Sequence, residues 1–237
     1  MEKSSLGHHI SQQFNAELED IRSKVLAMGG LVEQQIHDAL TALVTGNVDL
    51  AEGVVKNDVK VNALEVTIDE ECARILARRQ PAAGDLRLIV AVIKTITDLE
   101  RIGDEAEKVA RMAVELAELE RPRNQYHEAQ HLGEGVQRMV HDALDAFART
   151  DVEAALKVAQ YDKEVDIKYE GILRQLITHM MEDPRSIKRV MDVIWSIRAL
   201  ERIGDHAKNI CEYIIYLVKG KDVRHLGIEA IEKELQS

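Results

Sequence analysis

Pairs of acidic residues four positions apart recur along the chain, and these residues are the ones best suited to chemistry. The pentapeptide Glu-Arg-Ile-Gly-Asp occurs twice, so Glu100 precedes Asp104 and Glu201 precedes Asp205 by four residues. In a helix this spacing stacks both carboxylates on one face. Carboxylate oxygens suit Mg²⁺, Ca²⁺, Mn²⁺ or iron better than zinc. The pattern therefore indicates candidate cation sites.

The repeated acids lie on the apolar side of their predicted helices. On a helical wheel Glu100 falls about 20° from Ile93, and Glu201 has the same relation to Ile194. An unpaired buried carboxylate costs several kcal/mol, so arginine, a proton or a cation must neutralise it. The alternative to a cation site is that helix curvature leaves the acids solvated or that neighbouring arginines pair with them: Arg87, Arg101, Arg198 and Arg202.

The helix before each repeat supplies a second pair of polar residues. Asp162 and Asp166 are four residues apart in the second half, whereas Asp58 is followed by Asn62 in the first. Two acidic pairs could therefore face each other across adjacent helices, with the second half the richer in carboxylates. Gly103 and Gly204 lie inside the repeats, where glycine costs about 1 kcal/mol relative to alanine. They indicate either a close backbone approach or a tight helix crossing.

The chain is a tandem duplication. The pentapeptides are 101 residues apart, and His37-Asp38-Ala39-Leu40 recurs 104 residues later as His141-Asp142-Ala143-Leu144. One short insertion or deletion reconciles the two offsets. It falls where proline and glycine interrupt the helical pattern, at 79–84 in the first half and 181–184 in the second.

Hydrophobic periodicity predicts an all-α fold of two tandem, pseudo-symmetric, antiparallel three-helix bundles. Aromatic residues make up only 3% of the chain, and its three prolines all fall between predicted helices. We place the first bundle at 1–121 and the second, with a short C-terminal tail, at 122–237, with Pro122 near the junction. The predicted helices span 10–45, 48–80, 85–119, 128–149, 152–182 and 185–218.

Local signals refine the helix ends and the core. Asp85 and Asp183 are predicted to N-cap the helices that follow them, and Pro184 suits a first turn. Gly46 and Asn47 can end the first helix. Trp195 is expected to anchor the second core.

Composition and motifs disfavour several classes of function. A net charge of -11 disfavours nucleic acid and anionic lipid, and no run approaches the roughly 18 apolar residues of a membrane span. Cys72 and Cys211 lack metal or disulfide spacing and suit packing in a reducing cytoplasm. The chain has no glycine-rich phosphate loop and no nucleophile elbow, and its one Glu-x-x-His, Glu128 to His131, disfavours a ferritin-type oxidase. We predict no enzyme; a metalloenzyme and a purely structural scaffold are the alternatives.

Basic residues flank Gln80-Pro81 and continue along the third helix. They are Arg78, Arg79, Arg87, Lys94 and Arg101. The strip is either a solvated face or a docking surface for an acidic partner or for phosphate.

Over nearly its whole length the chain resembles the PhoU family, in its Gram-negative type. The residues that carry the resemblance are His9–Ser11, Gln13–Leu18, Met28–Gly30, Arg79–Pro81, Asp85–Arg87, Tyr169–Ile172 and the doubled Glu-Arg-Ile-Gly-Asp. The resemblance implies two three-helix bundles. It also implies a negative regulator of the phosphate-starvation response and of phosphate uptake, acting as a cytoplasmic adaptor at the inner membrane.

The resemblance implies partners and ligands as well. The partners would be the ATPase PstB of the Pst ABC transporter and the sensor histidine kinase PhoR, and long exposed helices suggest a homodimer. Metal ions (iron, Mn, Mg or Zn) would bind E(D)xxxD motifs, which map onto Glu100/Asp104, Asp162/Asp166 and Glu201/Asp205, with Asp58/Asn62 as the divergent pair. The predicted partner-binding residues are Arg79, Gln80, Pro81, Asp85, Arg87, Arg101 and Arg202.

Overall fold

Six long helices make up almost all of the described chain. The computed structural model describes residues 3–119, 126–224 and 226, with side chains from residue 12 onward. The helices are α1 (Lys3–Thr45), α2 (Val48–Arg79), α3 (Ala83–Ala117), α4 (His127–Arg149), α5 (Val152–Glu182) and α6 (Ile187–Lys219), with a short 3₁₀ helix at Pro184–Ser186. The described residues contain no strand, and the all-α prediction is confirmed.

Side chains cap the N-termini of α2, α5 and the 3₁₀ helix. Asn47 caps α2 by accepting a hydrogen bond from the Leu50 amide. Asp183 caps the 3₁₀ helix, which begins at Pro184, by accepting a hydrogen bond from the Arg185 amide. The prediction that Asp85 caps α3 is wrong. The helix begins at Ala83 after the extended residue Ala82, so Asp85 lies inside the first turn, where its charge favours the helix N-terminus.

The helices form two bundles of three. Helices α1, α2 and α3 pack together, as do α4, α5 and α6, and the bundles meet where α3 packs along α6 and α1 along α4. The two bundles share one continuous apolar core of Leu, Ile, Val and Ala. Pro122, predicted at the junction, lies outside the described residues, so the boundary between 121 and 122 stays a prediction.

The α1–α4 contact depends on two glycines. A Cβ placed on Gly29 would lie 2.6 Å from Leu144 Cδ2, and a Cβ on Gly133 would lie 2.6 Å from Leu40 Cδ1. Each leucine therefore fills the space that the missing side chain of the opposite glycine leaves. The two contacts are copies of each other, because both residue pairs are related by the 104-residue offset of the duplication.

A buried polar network joins α3 to α6. Asp98, only 2% exposed, accepts hydrogen bonds from Tyr213 Oη (2.7 Å) and Asn209 Nδ2 (3.1 Å), and its Oδ1 lies 2.6 Å from His206 Nδ1. With a proton on Nδ1, His206 donates to the same carboxylate. Ala199 occupies the position equivalent to Asp98 in the second half, so the network occurs once.

The sequence predicted that Trp195 anchors the second core, and this prediction is wrong. Its side chain on α6 is 57% exposed. The core positions beside it are filled by Val193, Ser196 and Ile197. The indole therefore contributes to the surface of α6 and little to packing.

Within the described chain, no helix carries an apolar stretch of the length and hydropathy that crossing a bilayer requires.

Candidate metal centres

Three carboxylates converge where α5 meets α6, and we name this group, with Glu201, the second centre. Oxygen atoms of Asp162, Asp166 and Asp205 all lie within 4.8 Å of one another. Asp162 is buried and the other two reach solvent, so the group lines a cleft open at one side. The sequence-predicted residues of the second half are therefore brought together.

Two basic side chains partly neutralise the second centre. Lys208 Nζ donates to Asp162 Oδ2 at 2.7 Å, and Arg198 Nη1 donates to Glu201 Oε1 at 2.8 Å. The arginine-pairing alternative therefore holds for one oxygen of Glu201. The other oxygen, Oε2, is buried without a hydrogen-bond partner, and Glu201 as a whole is only 8% exposed. Such an oxygen requires a proton or a cation.

Burial and mutual repulsion shift the pKa values of these acids upward. Desolvation, followed by repulsion from Asp205, raises the pKa of Glu201 to about 7. Desolvation, followed by repulsion from Asp162, also raises the pKa values of Asp166 and Asp205. Excess negative charge of this kind is what a bound cation relieves.

The corresponding group between α2 and α3, the first centre, is built around Asp58. Gln35 Nε2 donates to Asp58 Oδ1 (3.2 Å), and Asn62 Nδ2 donates to Asp58 Oδ2 (3.1 Å). Both amide oxygens are buried and lack partners. Gln35 is 5% exposed and comes from α1, so all three helices of the first bundle contribute to this centre.

Three further carboxylates belong to the first centre: Glu65, Glu100 and Asp104. Desolvation is the largest cause of the raised pKa in each of the three, and repulsion by neighbouring acids adds to it. A Cβ on Gly103 would lie 3.2 Å from Asp58 Oδ1 and 3.1 Å from Gln35 Oε1, so this glycine makes room for the polar group itself. The close-approach interpretation therefore holds at Gly103, whereas Gly204 has only ordinary contacts at 3.6 Å or more.

Sequence reasoning missed three members of these centres. Glu65 lies seven residues after Asp58, two helical turns along the same face, and that spacing was a usable signal. Gln35 is contributed by a different helix and had no such signal. Lys208 follows Asp205 by three residues, a spacing that places it on the same face of α6.

The predicted basic strip is not one continuous surface. Arg79 forms a two-bond ion pair with Glu17 (2.7 and 3.0 Å). Arg87 donates from Nε to the Leu217 carbonyl at 3.3 Å, at the C-terminal end of α6. Lys94 lies 5.4 Å above the ring centre of Tyr213. Internal contacts thus engage much of the charge that the sequence assigned to docking.

The other predicted partner-binding residues differ in their solvent exposure and in their internal contacts. Arg101 is exposed on α3, and Arg202 donates to buried Glu105 at 3.0 Å while its side chain stays 49% exposed. Gln80 ends α2 in the left-handed region at φ 48°. Pro81, in the connection that follows, and Asp85, in the first turn of α3, are both half-buried.

Within the described residues only the second centre brings three acids close enough for one cation, and the acids of the first centre do not converge in this way. By donor type, both sets fit a hard divalent or trivalent cation. They are carboxylate and amide oxygens, the ligands that Mg²⁺, Mn²⁺ and iron accept, and neither centre contributes the histidine or cysteine that zinc prefers. The unpartnered oxygens of Glu201, Gln35 and Asn62 supply the observation that favours binding.

The raised pKa of Glu201 predicts how stability depends on pH in the metal-stripped protein. Between the ordinary glutamate pKa and about 7 the folded protein holds a proton that the unfolded chain releases, so stability should fall as pH rises from 5 to 7.5. Thermal melts should show a shallower slope for Glu201→Gln, and added Mn²⁺ should restore the melting temperature at pH 7.5.

Burial also raises the pKa of Glu212 to about 7, so Glu212 provides the comparison. Glu212→Gln should flatten the pH slope as well, and Mn²⁺ should still raise the melting temperature, because all carboxylates of the second centre remain. A melting temperature that rises over this pH range would contradict the assignment.

Comparisons with known proteins agree with this architecture. A model of the PhoU domain matches residues 25–113 and 129–214. The phosphate-specific transport system accessory protein PhoU homologue of Pseudomonas putida is 61% identical over 235 residues, covering 99% of this chain and 91% of that protein. The PhoU protein of Escherichia coli K12 is 50% identical, covering 99% and 97%.

Solved structures show the same fold. The crystal structure of PhoU from Pseudomonas aeruginosa superposes with a TM-score of 0.86 at 60% identity, covering 88% of this chain and 100% of that one. The phosphate transport system regulatory protein PhoU of Streptococcus pneumoniae gives 0.82 at 30% identity, covering 89% and 99%. These relatives are regulatory accessory proteins, not enzymes, which confirms the prediction of no enzymatic activity. The chain belongs to the PhoU family.

Proposed function

We propose that this protein restrains phosphate uptake and represses the phosphate-starvation response by contact with two partners. The partners are the ATPase PstB of a Pst-type ABC transporter and a PhoR-type sensor histidine kinase. The observation that carries the proposal is the match over 99% of the chain to proteins named for phosphate-specific transport. Family membership gives the chain a role in phosphate transport and its regulation, and the two named partners are the specific part of the proposal.

An adaptor requires a surface on a rigid frame, and the front of α3 and α6 supplies one. Exposed Arg101 lies on α3, and Arg202, which contacts Glu105 of α3, lies half-exposed on α6. In our proposal these basic side chains and the neighbouring acidic residues contact the partner together. Such a pattern gives orientation and specificity to a docked partner more than raw affinity.

Bound cations would adjust this surface. In our proposal a metal ion at each centre reduces the acidic charge near Arg101 and Arg202 and fixes α2 against α3 and α5 against α6. The protein acts in the cytoplasm as a homodimer and reaches the inner membrane through its partners. Phosphate sufficiency at the transporter is passed through the paired bundles and holds the kinase in its phosphatase-favouring state.

The test is capture of purified PstB and PhoR cytoplasmic domains at high and low phosphate, together with a starvation-gene reporter in a deletion strain. Wild type should capture both partners and restore repression in high phosphate. Arg101→Glu should weaken capture at least tenfold, and circular dichroism verifies that the variant is folded. Arg138→Glu, an exposed arginine on α4, is the matched control. A deletion strain that still represses the reporter in high phosphate would exclude the proposal.

A further inference from the structure

A polar groove of about 830 Å³ lies along α6, next to the second centre. Its volume is within the range of about 300–1,000 Å³ that small-molecule sites occupy. Its walls come from α6 and from the segment after it, where buried Val223 packs against Ile215. The charged residues of the lining are Arg198, Arg202, Asp205, Lys208, Glu212 and Arg224. Because bases outnumber acids among these side chains, the groove is suited to an anionic ligand.

His206 brings an unused ring nitrogen to this groove. Its side chain belongs to the lining, although the residue is only 6% exposed. The Nδ1 atom lies 2.6 Å from Asp98 Oδ1, so the proton of the neutral ring belongs on Nδ1. Among the described residues none forms a hydrogen bond with the other nitrogen, Nε2. A ligand in the groove can therefore supply the partner that this deeply placed atom lacks.

Two arginines on the same side of α6 have unused donors. Arg202 precedes His206 by one helical turn, and Arg198 precedes Arg202 by another. Arg202 Nε lies 3.0 Å from Glu105 Oε1, and Arg198 Nη1 donates to Glu201 Oε1 at 2.8 Å. Each carboxylate orients a guanidinium but occupies only one of its nitrogens among the described contacts. Since the two arginine side chains are 49% and 45% exposed, their other N–H groups can bind an oxyanion in the forked geometry that arginine favours.

The two acids of the lining restrict which anion fits. Asp205 is shared with the second centre, and burial raises the pKa of Glu212 to about 7. An ionised carboxylate repels a fully deprotonated anion, but like the neutral Nε2 of His206 it accepts a hydrogen bond from a protonated one. Phosphate keeps a proton at neutral pH and offers both acceptors and a donor, whereas sulfate offers acceptors only. The mixed lining therefore favours phosphate over sulfate.

We propose that this groove binds a protonated phosphate group. Arg198 and Arg202 donate to its charged oxygens, and His206 Nε2 accepts from its hydroxyl. The group comes from free inorganic phosphate or from the terminal phosphate of a nucleotide. Arg202 also belongs to the surface proposed to contact the partners, so phosphate in the groove changes the charge that they meet. This last step rests on the proposed function, whereas the binding itself requires neither partner.

Isothermal titration calorimetry of the full chain at pH 7, in a phosphate-free buffer, tests the proposal. The ligands are sodium phosphate, sodium sulfate and AMP, whose single phosphate is a monoester. Wild type should bind one phosphate per chain, about tenfold or more tightly than sulfate, because sulfate has no proton to donate. Tighter binding of phosphate than of AMP identifies inorganic phosphate as the ligand, and the reverse order identifies a nucleotide.

Two variants test the assigned residues. His206→Asn places an amide nitrogen near the position of Nδ1, so it keeps a donor for Asp98 and removes Nε2. Arg202→Gln removes the guanidinium, while Lys108 still pairs with Glu105 at 2.9 Å. Each variant should weaken phosphate binding about tenfold. Circular dichroism verifies that each is folded.

Two control variants separate the groove from general charge effects and from a bound metal ion. Arg174→Gln makes the same change in charge as Arg202→Gln, at a side chain on α5 that is 76% exposed and outside the groove. It should leave phosphate affinity unchanged. Asp166→Asn alters a carboxylate of the second centre that does not line the groove, and it should not weaken phosphate binding.

Four results would each overturn the proposal. The first is that neither phosphate nor AMP binds, and the second is that sulfate binds as tightly as phosphate. The third is that His206→Asn or Arg202→Gln keeps the wild-type affinity. The fourth is that Asp166→Asn abolishes binding, which would assign the anion to a metal ion at the second centre. None of these measurements includes the transporter ATPase or the kinase, so failure of this inference is distinguishable from failure of the proposed function.

Discussion

Asp98→Ala should lower the free energy of unfolding by about 3–5 kcal/mol, because it leaves several buried donors without an acceptor. The carboxylate binds Tyr213 and Asn209 and contacts His206, and both Tyr213 and His206 are less than 9% exposed. All three donors belong to α6, whereas Asp98 belongs to α3. The hydrogen bonds that are lost are therefore ones that join the two bundles. Urea denaturation followed by circular dichroism measures it.

Two variants separate the network from general effects of substitution. Asp98→Asn retains one acceptor oxygen and should lose less than alanine does. Glu164→Ala, at an exposed position on α5, should change the free energy by no more than about 0.5 kcal/mol. If Asp98→Ala costs less than about 1 kcal/mol, the network contributes little to holding the bundles together.

Valine at both Gly29 and Gly133 should cost about 2–6 kcal/mol, since overpacking costs about 1–3 kcal/mol at each site. The new Cβ atoms would lie 2.6 Å from Leu144 and Leu40, well inside contact distance. The leucine tips can move for one substitution, but two branched side chains on opposite ends of one crossing force α1 and α4 apart. The urea midpoint should fall accordingly.

Gly30 is the matched control for this experiment. It is the next residue on α1, and a Cβ there meets nothing within 4 Å. Gly30→Ala should raise stability by up to about 1 kcal/mol, because alanine is the better helix former. A double valine variant as stable as wild type would show that the α1–α4 crossing is loosely packed.

The fold was predictable because the sequence repeats and because each helix is long enough to show a clear hydrophobic period. The predicted bounds 152–182 are those of α5, and those of α2 differ from the structure by one residue. The start of α1 differs by seven residues, since the polar N-terminal segment lacks the apolar stripe that defines a helix by pattern. Asp85 shows the limit of capping rules, because an acid in the first turn and an acid at the N-cap are equally favourable in sequence.

The candidate centres were predictable where regular spacing along a helix marks their residues, including the Asp162/Asp166 pair that lies beside Asp205 of the next helix. Spacing of four residues located Glu100/Asp104 and Glu201/Asp205, but it could not bring Gln35 from α1 to Asp58 on α2. The Asp98 network was missed for the same reason, since its partners lie more than 100 residues away. The burial of Trp195 could not be predicted from residue type alone, because tryptophan is rarely fully buried.

Basic residues were the least predictable of all. Arg79 and Arg87, which the sequence predicts to bind partners, also make internal contacts, with Glu17 and with the Leu217 carbonyl at the end of α6. Their partner binding stays a prediction. A long flexible side chain can reach several acceptors, and its choice depends on three-dimensional neighbours that a linear sequence does not contain.

The reciprocal contact of Gly29 with Leu144 and Gly133 with Leu40 has the form of an isologous interface, in which each surface meets a copy of itself across a two-fold axis. Two separate one-bundle chains would assemble in the same way. The present molecule can thus be viewed as such a dimer joined into a single polypeptide, whose copies then mutate independently. The Asp98–His206 contact, which has no counterpart at Ala199 and Glu105, is an asymmetry that identical subunits cannot acquire.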